Sequence, residues 1–215
     1  MWESAGDAWS ASFAKYNLGE ILADRGRLDE AEPLLRRALR VWRASRAGPE
    51  AAEAMRQLGR VLARKQEFDE ALALLEAARQ DQIKYGELAE VLVTGARIAE
   101  CLAIEGRAEE SLELADRLLA EAGPVEGSAA SLALLQRVRG WSLLLLGRQA
   151  EARRAVDDAL RSARERGADY EVALALGLLA AGPDLAGLDV DDLERERAEI
   201  LERLGVQVSA GPPML

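Results

Sequence analysis

The chain has 215 residues, with 28 Lys and Arg against 38 Asp and Glu, and its formal charge of -10 excludes a general nucleic-acid or anionic-membrane surface. It contains no histidine and one cysteine, Cys101, so Ser-His catalysis, histidine-containing metal sites, thiolate zinc sites and an intrachain disulfide lack their parts. Hydrophobic residues make up 49% and aromatics only 4%, a balance that suits an all-α fold packed through Ala and Leu.

The N-terminal segment enters helical sequence directly at Met1 and Trp2, as a piece cut from a longer polypeptide would. From there the chain repeats with a period of about 40: Gly26, Gln66, Gly106 and Gly147 occupy equivalent turns. The first two copies agree at Leu18-Gly19 and Leu58-Gly59, at Leu28-Asp29-Glu30-Ala31 and Phe68-Asp69-Glu70-Ala71, at Leu35 and Leu75, and at Ala38 and Ala78. Small residues on both helices permit close approach, Gly26 and Gly106 suit a left-handed helix end, and Asp29 and Asp69 are candidate caps for the second helix. A single hairpin leaves apolar surface uncovered, so the units must stack.

The third unit keeps size and polarity at Ile98-Ala99, Leu102, Gly106, Ser111 and Leu118. In the fourth, Gly140, Leu143, Gly147, Ala152 and Ala159 fit, while Arg139 stands where Leu is usual, which implies a rotated helix or an arginine that snorkels. Residues 169–181 read as a fifth first helix with Leu176-Gly177 in register. Residues 190–204 read as an amphipathic cap with Leu193, Ile200, Leu201 and Leu204 inward, Asp189 or Asp191 at its start and Gly205 at its stop. The organisation is one domain over 1–205, with units near 8–46, 50–85, 87–122, 128–166 and 169–205, then a tail over 206–215. Breaks fall at 47–49, 85–86, 123–127 and 167, and the third is the expected hinge.

The repeated Leu-Gly, turn Gly, Ala and Leu positions resemble the tetratricopeptide-repeat family. That resemblance implies a right-handed superhelical solenoid of about ten paired helices whose first helices line a concave groove. Mapped onto that groove, the candidate partner-binding residues are Tyr16, Asn17, Glu20, Arg56, Gln57, Arg60, Arg64, Arg97, Arg137 and Trp141, with Phe13 and Asp24 beside them. Arg56, Arg60 and Arg64 recur every four residues and form one stripe on a helix. Forked guanidinium donors match carboxylate or phosphate, so one reading is an acidic peptide, a terminal carboxylate or a small anion, and the other is solvated helix charge. Trp141 reads as a binding anchor or as packing, and Trp2, Trp9 and Trp42 read as packing. Chaperone-binding members hold a terminal carboxylate at positions that here carry Tyr16 and Glu20, Gln57, and Val93 and Arg97. Only Arg97 matches, which disfavours that partner.

The stretches from Asn17 to Leu35 and from Arg166 to Leu174 also resemble the C-terminal repeats of actinobacterial adenylate or guanylate cyclase–ATPase signalling proteins. That likeness implies a regulatory segment, and no cyclase or ATPase element lies in these residues. Asp157-Asp158 and Asp191-Asp192 read as solvated face and dipole complement rather than acid-base pairs. Cys101 reads as a small buried helix residue.

The sequence therefore predicts no enzyme, no cofactor and no metal. It predicts a cytoplasmic scaffold that binds a protein or peptide, without nucleic acid or membrane and with self-association open. The alternatives are a sensor enclosing a small anionic ligand or signal peptide, and an architectural spacer.

Overall fold

The computed structural model describes residues 2–123, 125, 127–182 and 190–206, without the side chains of residues 2–8 and Ala130. Among the described residues ten helices run in sequence: α1 Trp2–Asp24, α2 Leu28–Ala44, α3 Gly48–Arg64, α4 Phe68–Tyr85, α5 Leu88–Glu105, α6 Ala108–Ala122, α7 Ala129–Leu145, α8 Gln149–Glu165, α9 Asp169–Ala181 and α10 Val190–Leu204. Each packs on its chain neighbours, and the remaining helix contacts join α1 to α3, α3 to α5, α5 to α7 and α7 to α9. The odd-numbered helices therefore form the inner wall of a stacked solenoid, and the even-numbered helices lie outside.

A left-handed residue ends nearly every helix: Gly26, Arg46, Gln66, Gly86, Gly106, Gly147, Gly167 and Gly205 all have positive φ. Each closes the same pair of bonds. Gly26 N donates to Ala23 O at 3.0 Å and Arg27 N to Leu22 O at 2.9 Å, and the pattern recurs at Gln66 and Glu67 with Ala63 and Leu62. This is the Schellman arrangement, and it satisfies the carbonyls that a helix end leaves open.

One residue then separates the left-handed turn from the next helix, so the N-cap positions are Arg27 and Glu67 rather than the expected Asp29 and Asp69. Neither N-cap makes a side-chain cap bond, and the two aspartates sit inside the first turn, where their charge complements the dipole. The Arg27 guanidinium instead turns to Glu30 at 2.6 and 2.7 Å, and Arg107–Glu110 and Arg148–Glu151 repeat that pairing.

Glycines govern how closely paired helices approach. A Cβ on Gly19 would stand 2.9 Å from Leu35 Cγ, and one on Gly59 would stand 2.6 Å from Leu75 Cγ and 3.1 Å from the Ala71 carbonyl. In the third unit Ala99 takes the place of Gly59 and Ala115 that of Leu75. The small-against-large contact moves one turn away, to Gly95 against Leu118 at 2.8 Å. Volume is conserved across the hairpin while its location shifts. Leu35, Leu58, Leu62, Leu75, Leu118 and Leu176 are fully buried along the stack, each contributing about 1.5–3 kcal/mol.

Arg139 snorkels: its Nε donates to Asp116 Oδ1 at 2.5 Å, and α7 keeps its register, with Gly140 against Val156. The cap buries Leu193, Ile200 and Leu201 as expected. Its first turn carries Asp191 and Asp192, while the alternative cap, Asp189, lies outside the described residues. So do Pro124 and Glu126 of the expected hinge, Pro183, and the tail from residue 207.

Candidate functional site

The inner wall carries two polar clusters. In the first, Tyr16 on α1 donates its hydroxyl to Glu53 Oε1 on α3 at 2.6 Å, and Gln57 donates to Glu20 Oε1 at 2.7 Å. Arg56 grips both oxygens of Glu53 and lies 3.4 Å from Glu90 on the next first helix. Burial pushes the Glu20 carboxyl up, helped by Asp24 and Glu53. Burial also pushes Glu53 up, but Arg56 outweighs it and holds that carboxylate below its ordinary range. The Tyr16 phenol is raised by burial and by the facing Glu53.

The second cluster gathers residues of all five units around the axis. Arg60 donates to Asp24 Oδ1 at 2.6 Å, and its guanidinium lies over the Tyr170 ring at 5.9 Å. Arg64 donates to the Ala23 carbonyl at 2.5 Å. Glu100 accepts from Arg97 at 2.7 Å and from Arg137 at 3.0 Å, and Arg137 also donates to Glu171 at 2.8 Å. Arg137 is 0% exposed. Burial pushes Glu100 up, yet Arg97, Arg137 and Arg60 together hold it at about 2. Burial lowers Arg64, with Arg60 adding to the effect.

Tyr170 and Leu174 of α9 close this cluster from the far side, and with Arg60, Arg64, Arg97 and Glu100 they leave a space of only about 10 Å³. That holds one water at most. The same curvature brings the end of the cap back to the end of α1, where a Cβ on Gly205 would lie 3.8 Å from Arg25 Nε. The solenoid thus closes on itself across its axis within five units.

The structure brings together most of the residues expected to line the groove, but in two environments. Arg60, Arg64, Arg97 and Arg137 meet around Glu100, and Tyr16, Glu20, Arg56 and Gln57 form the entrance cluster. Asn17 is exposed on α1 one turn beyond Phe13, and Trp141 is buried within the wall. Four of the nine aromatics concentrate beside the entrance. Trp9 and Phe13 stack at 5.7 Å, Phe13 meets Tyr16 and Trp42 at 6.5 Å each, and Tyr16 meets Trp42 at 5.4 Å.

Trp42 is packed as expected, but Trp9 is 40% exposed and Phe13 46%, because none of the described helices stacks on that side of α1. The Trp2 side chain lies outside the described residues. The sequence reading missed Trp9 as a surface residue, and its signal was the four-residue spacing to Phe13 on the groove edge.

Away from the inner wall, a cleft of about 390 Å³ opens between α4 and α6, with Ile98 and Leu102 in its floor and Glu76, Arg79 and Arg107 on its rim. Among the described residues, no group of three or more Cys, Asp or Glu side chains is placed to hold a metal ion. None of the described helices is long and apolar enough to cross a membrane. Asp157 and Asp158 are tied to Arg153 and Arg161 on the outer face.

Tetratricopeptide-repeat profiles match residues 10–82 and 133–158. No curated protein matches in sequence. Among solved structures the chain is similar to the nearly identical TPR-like repeats assigned to a kinesin light chain of Podosopora anserina, at 18% identity and a TM-score of 0.55, with 88% of this chain and 94% of that one covered. A point variant of those repeats gives a TM-score of 0.56 at the same identity and coverage. Residues 10–82 and 133–158 are therefore tetratricopeptide repeats within a right-handed superhelical solenoid of that fold, an architecture that generally serves as a non-catalytic mediator of protein–protein interaction.

Proposed function

We propose that the chain is a protein-binding scaffold that takes a partner segment at the entrance of its concave wall, beside Trp9, Phe13, Tyr16, Asn17, Glu20 and Arg56. The exposed Trp9–Phe13 stack carries this reading. A rigid aromatic pair left half in water, above a buried aromatic base, is the type of surface that anchors an apolar side chain of a partner.

Arg56 supplies the adjacent charge. Its outer neighbour Glu90 is partly exposed and 3.4 Å away, so a carboxylate of the partner replaces Glu90 on the guanidinium without breaking the Glu53 pair. The deeper arginines act as wall. Arg60 and Arg137 already hold their own carboxylates, and a segment threading the axis would have to displace Tyr170 and Leu174.

In this reading the chain is the regulatory, partner-binding part of a bacterial cytoplasmic signalling protein, supported by the resemblance of 17–35 and 166–174 to cyclase–ATPase repeat regions. The test is partner capture from the native host by wild type, Trp9→Ser/Phe13→Ser and Arg56→Gln. Specific capture lost in the first variant and weakened in the second supports the proposal. Equal capture by all three removes it.

One observation favours the sensor alternative: among the described residues, Arg64 Nε and Arg97 Nε are buried without a hydrogen-bond partner, as donors awaiting an anion would be. The 10 Å³ between them requires the array to open first. A thermal-shift panel of small carboxylates and phosphates tests that reading, and stabilisation abolished by Arg64→Gln would favour it.

A further inference from the structure

A cleft of about 320 Å³ opens where the turn from α2 to α3 meets the last turns of α4, lined by the first two units alone. Trp42 and Met55, both buried, and the half-exposed Tyr85 supply its apolar surface. Tyr85 reaches over the turn because position 48 is glycine: a Cβ there would collide with the Tyr85 hydroxyl and ring. The Trp42 indole N–H is buried without a hydrogen-bond partner among the described residues.

The α2 side of the cleft carries Arg43 and Arg46. They end a stretch, residues 36–46, that holds five arginines and no acid in a chain of formal charge -10. Arg36 is spent on Glu32 and Glu70. Arg43 instead donates to Met55 Sδ at 2.9 Å, a weak acceptor for a guanidinium. A helix end favours one cation, but Arg46 lies beyond the end of α2 with its backbone at φ 59°, a conformation that favours glycine. The matching turn of the second unit carries Ile83 and Gly86 at these two places. An arginine kept in a left-handed position, on the rim of an apolar cleft, points to use rather than to folding.

We infer that this cleft is a binding site for a small apolar monocarboxylate, separate from the aromatic entrance of the wall. Arg43 and Arg46 hold its carboxylate, since forked donors match that group and outcompete the thioether. Its apolar body lies on the Met55 and Trp42 floor against the Tyr85 ring, in a space of the size that small ligands occupy. One carboxylate is selected over two because the α4 side offers only Asp81, already held by Lys84 at 2.7 Å, and no cation for a second anionic group.

Titration calorimetry of the intact chain tests this inference, with 3-phenylpropionate and octanoate as ligands and 3-phenylpropanamide and benzylsuccinate as controls. At least one monocarboxylate is expected to saturate the chain at one site, with the amide and the dicarboxylate each weaker by about tenfold or more. Arg43→Gln and Arg46→Gly should each weaken binding by about tenfold or more. Arg46→Gly should do so while melting above wild type, which separates a lost contact from a damaged fold. Arg40→Gln, on the same helix but outside the cleft, and Trp9→Ser/Phe13→Ser should bind as wild type does. No saturation by either monocarboxylate, equal affinity for the amide, or wild-type affinity in both cleft variants would each overturn the proposal.

Discussion

Replacing Glu100 by Gln removes the carboxylate that the partly buried Arg97 and the buried Arg137 share at the axis. Arg97 loses its 2.7 Å partner, Arg137 loses one carboxylate and keeps Glu171, and Arg60 loses a neighbouring negative charge. Breaking a buried pair from one side costs about 3–5 kcal/mol, and the titration of Glu100 gives an independent scale. Its folded value of about 2 lies below an unfolded value of about 4.3, and that gap is worth on the order of 3 kcal/mol.

The sign follows from the depressed value. The stabilisation is full above the unfolded pKa and is lost as pH falls from about 4.3 towards 2. Urea denaturation followed by circular dichroism, at neutral pH and through the acid range, reads both effects. Glu100→Gln should be less stable by about 3 kcal/mol at neutral pH and should show a correspondingly shallower acid limb. Trp42 and Trp141, buried in the first and fourth units, report whether the loss spreads along the array, as nearest-neighbour coupling requires. A neutral-pH difference below about 0.5 kcal/mol, within the range of an ordinary surface change, would refute the buried-network reasoning.

Four further outcomes are expected. Gln66→Gly and Arg46→Gly relieve non-glycine residues held at φ 65° and 59°, and each should raise stability by about 0.5–1 kcal/mol in urea titration. Gly59→Ala forces a Cβ against Leu75 and the Ala71 carbonyl and should cost about 1–2 kcal/mol net of its helix-propensity gain. Gly123→Ala, with open space around it, should gain a few tenths of a kcal/mol. The Cys101 thiol, fully buried and pushed up to about 12 by burial and then by Glu105 and Glu100, should resist a thiol reagent in the native chain and react on unfolding.

The hairpins were legible because one physical event, a left-handed helix end, recurs about every 20 residues, and glycine marks most of its occurrences. The repeat placed Gln66 at an equivalent turn but did not mark Arg46, and neither side chain advertises the positive φ that both adopt. The expected aspartate caps failed for a related reason: the turn leaves a single residue before the next helix, so no position precedes Asp29 in which it could cap.

The inner wall was half legible. The arginine stripe was visible, but it was weighed as a partner's anion site or as solvated charge, whereas the structure pairs Arg56 and Arg60 with carboxylates and sets Arg64 on the Ala23 carbonyl. The overlooked sign was alternation at equivalent positions, since Glu20, Arg60 and Glu100 lie 40 residues apart in turn. Opposite charges therefore meet between adjacent layers. Closure by Tyr170 was not legible, because it depends on the rotation accumulated over three units, which no local spacing encodes. Exposure of Trp9 and Phe13 follows from no described helix packing on that side of α1, a property of the stack rather than of the residues.

The central claim is that binding happens at the aromatic entrance of the wall and not along its axis. The most direct measurement selects binders from a displayed peptide library on the wild-type chain, then determines their affinity for Trp9→Ser/Phe13→Ser and for Leu174→Trp, which fills the residual axial space. The account predicts loss of affinity of roughly 30-fold or more in the first variant and unchanged affinity in the second. Full affinity at the serine variant, with loss at Leu174→Trp in a chain that keeps its helicity and melting temperature, would contradict it.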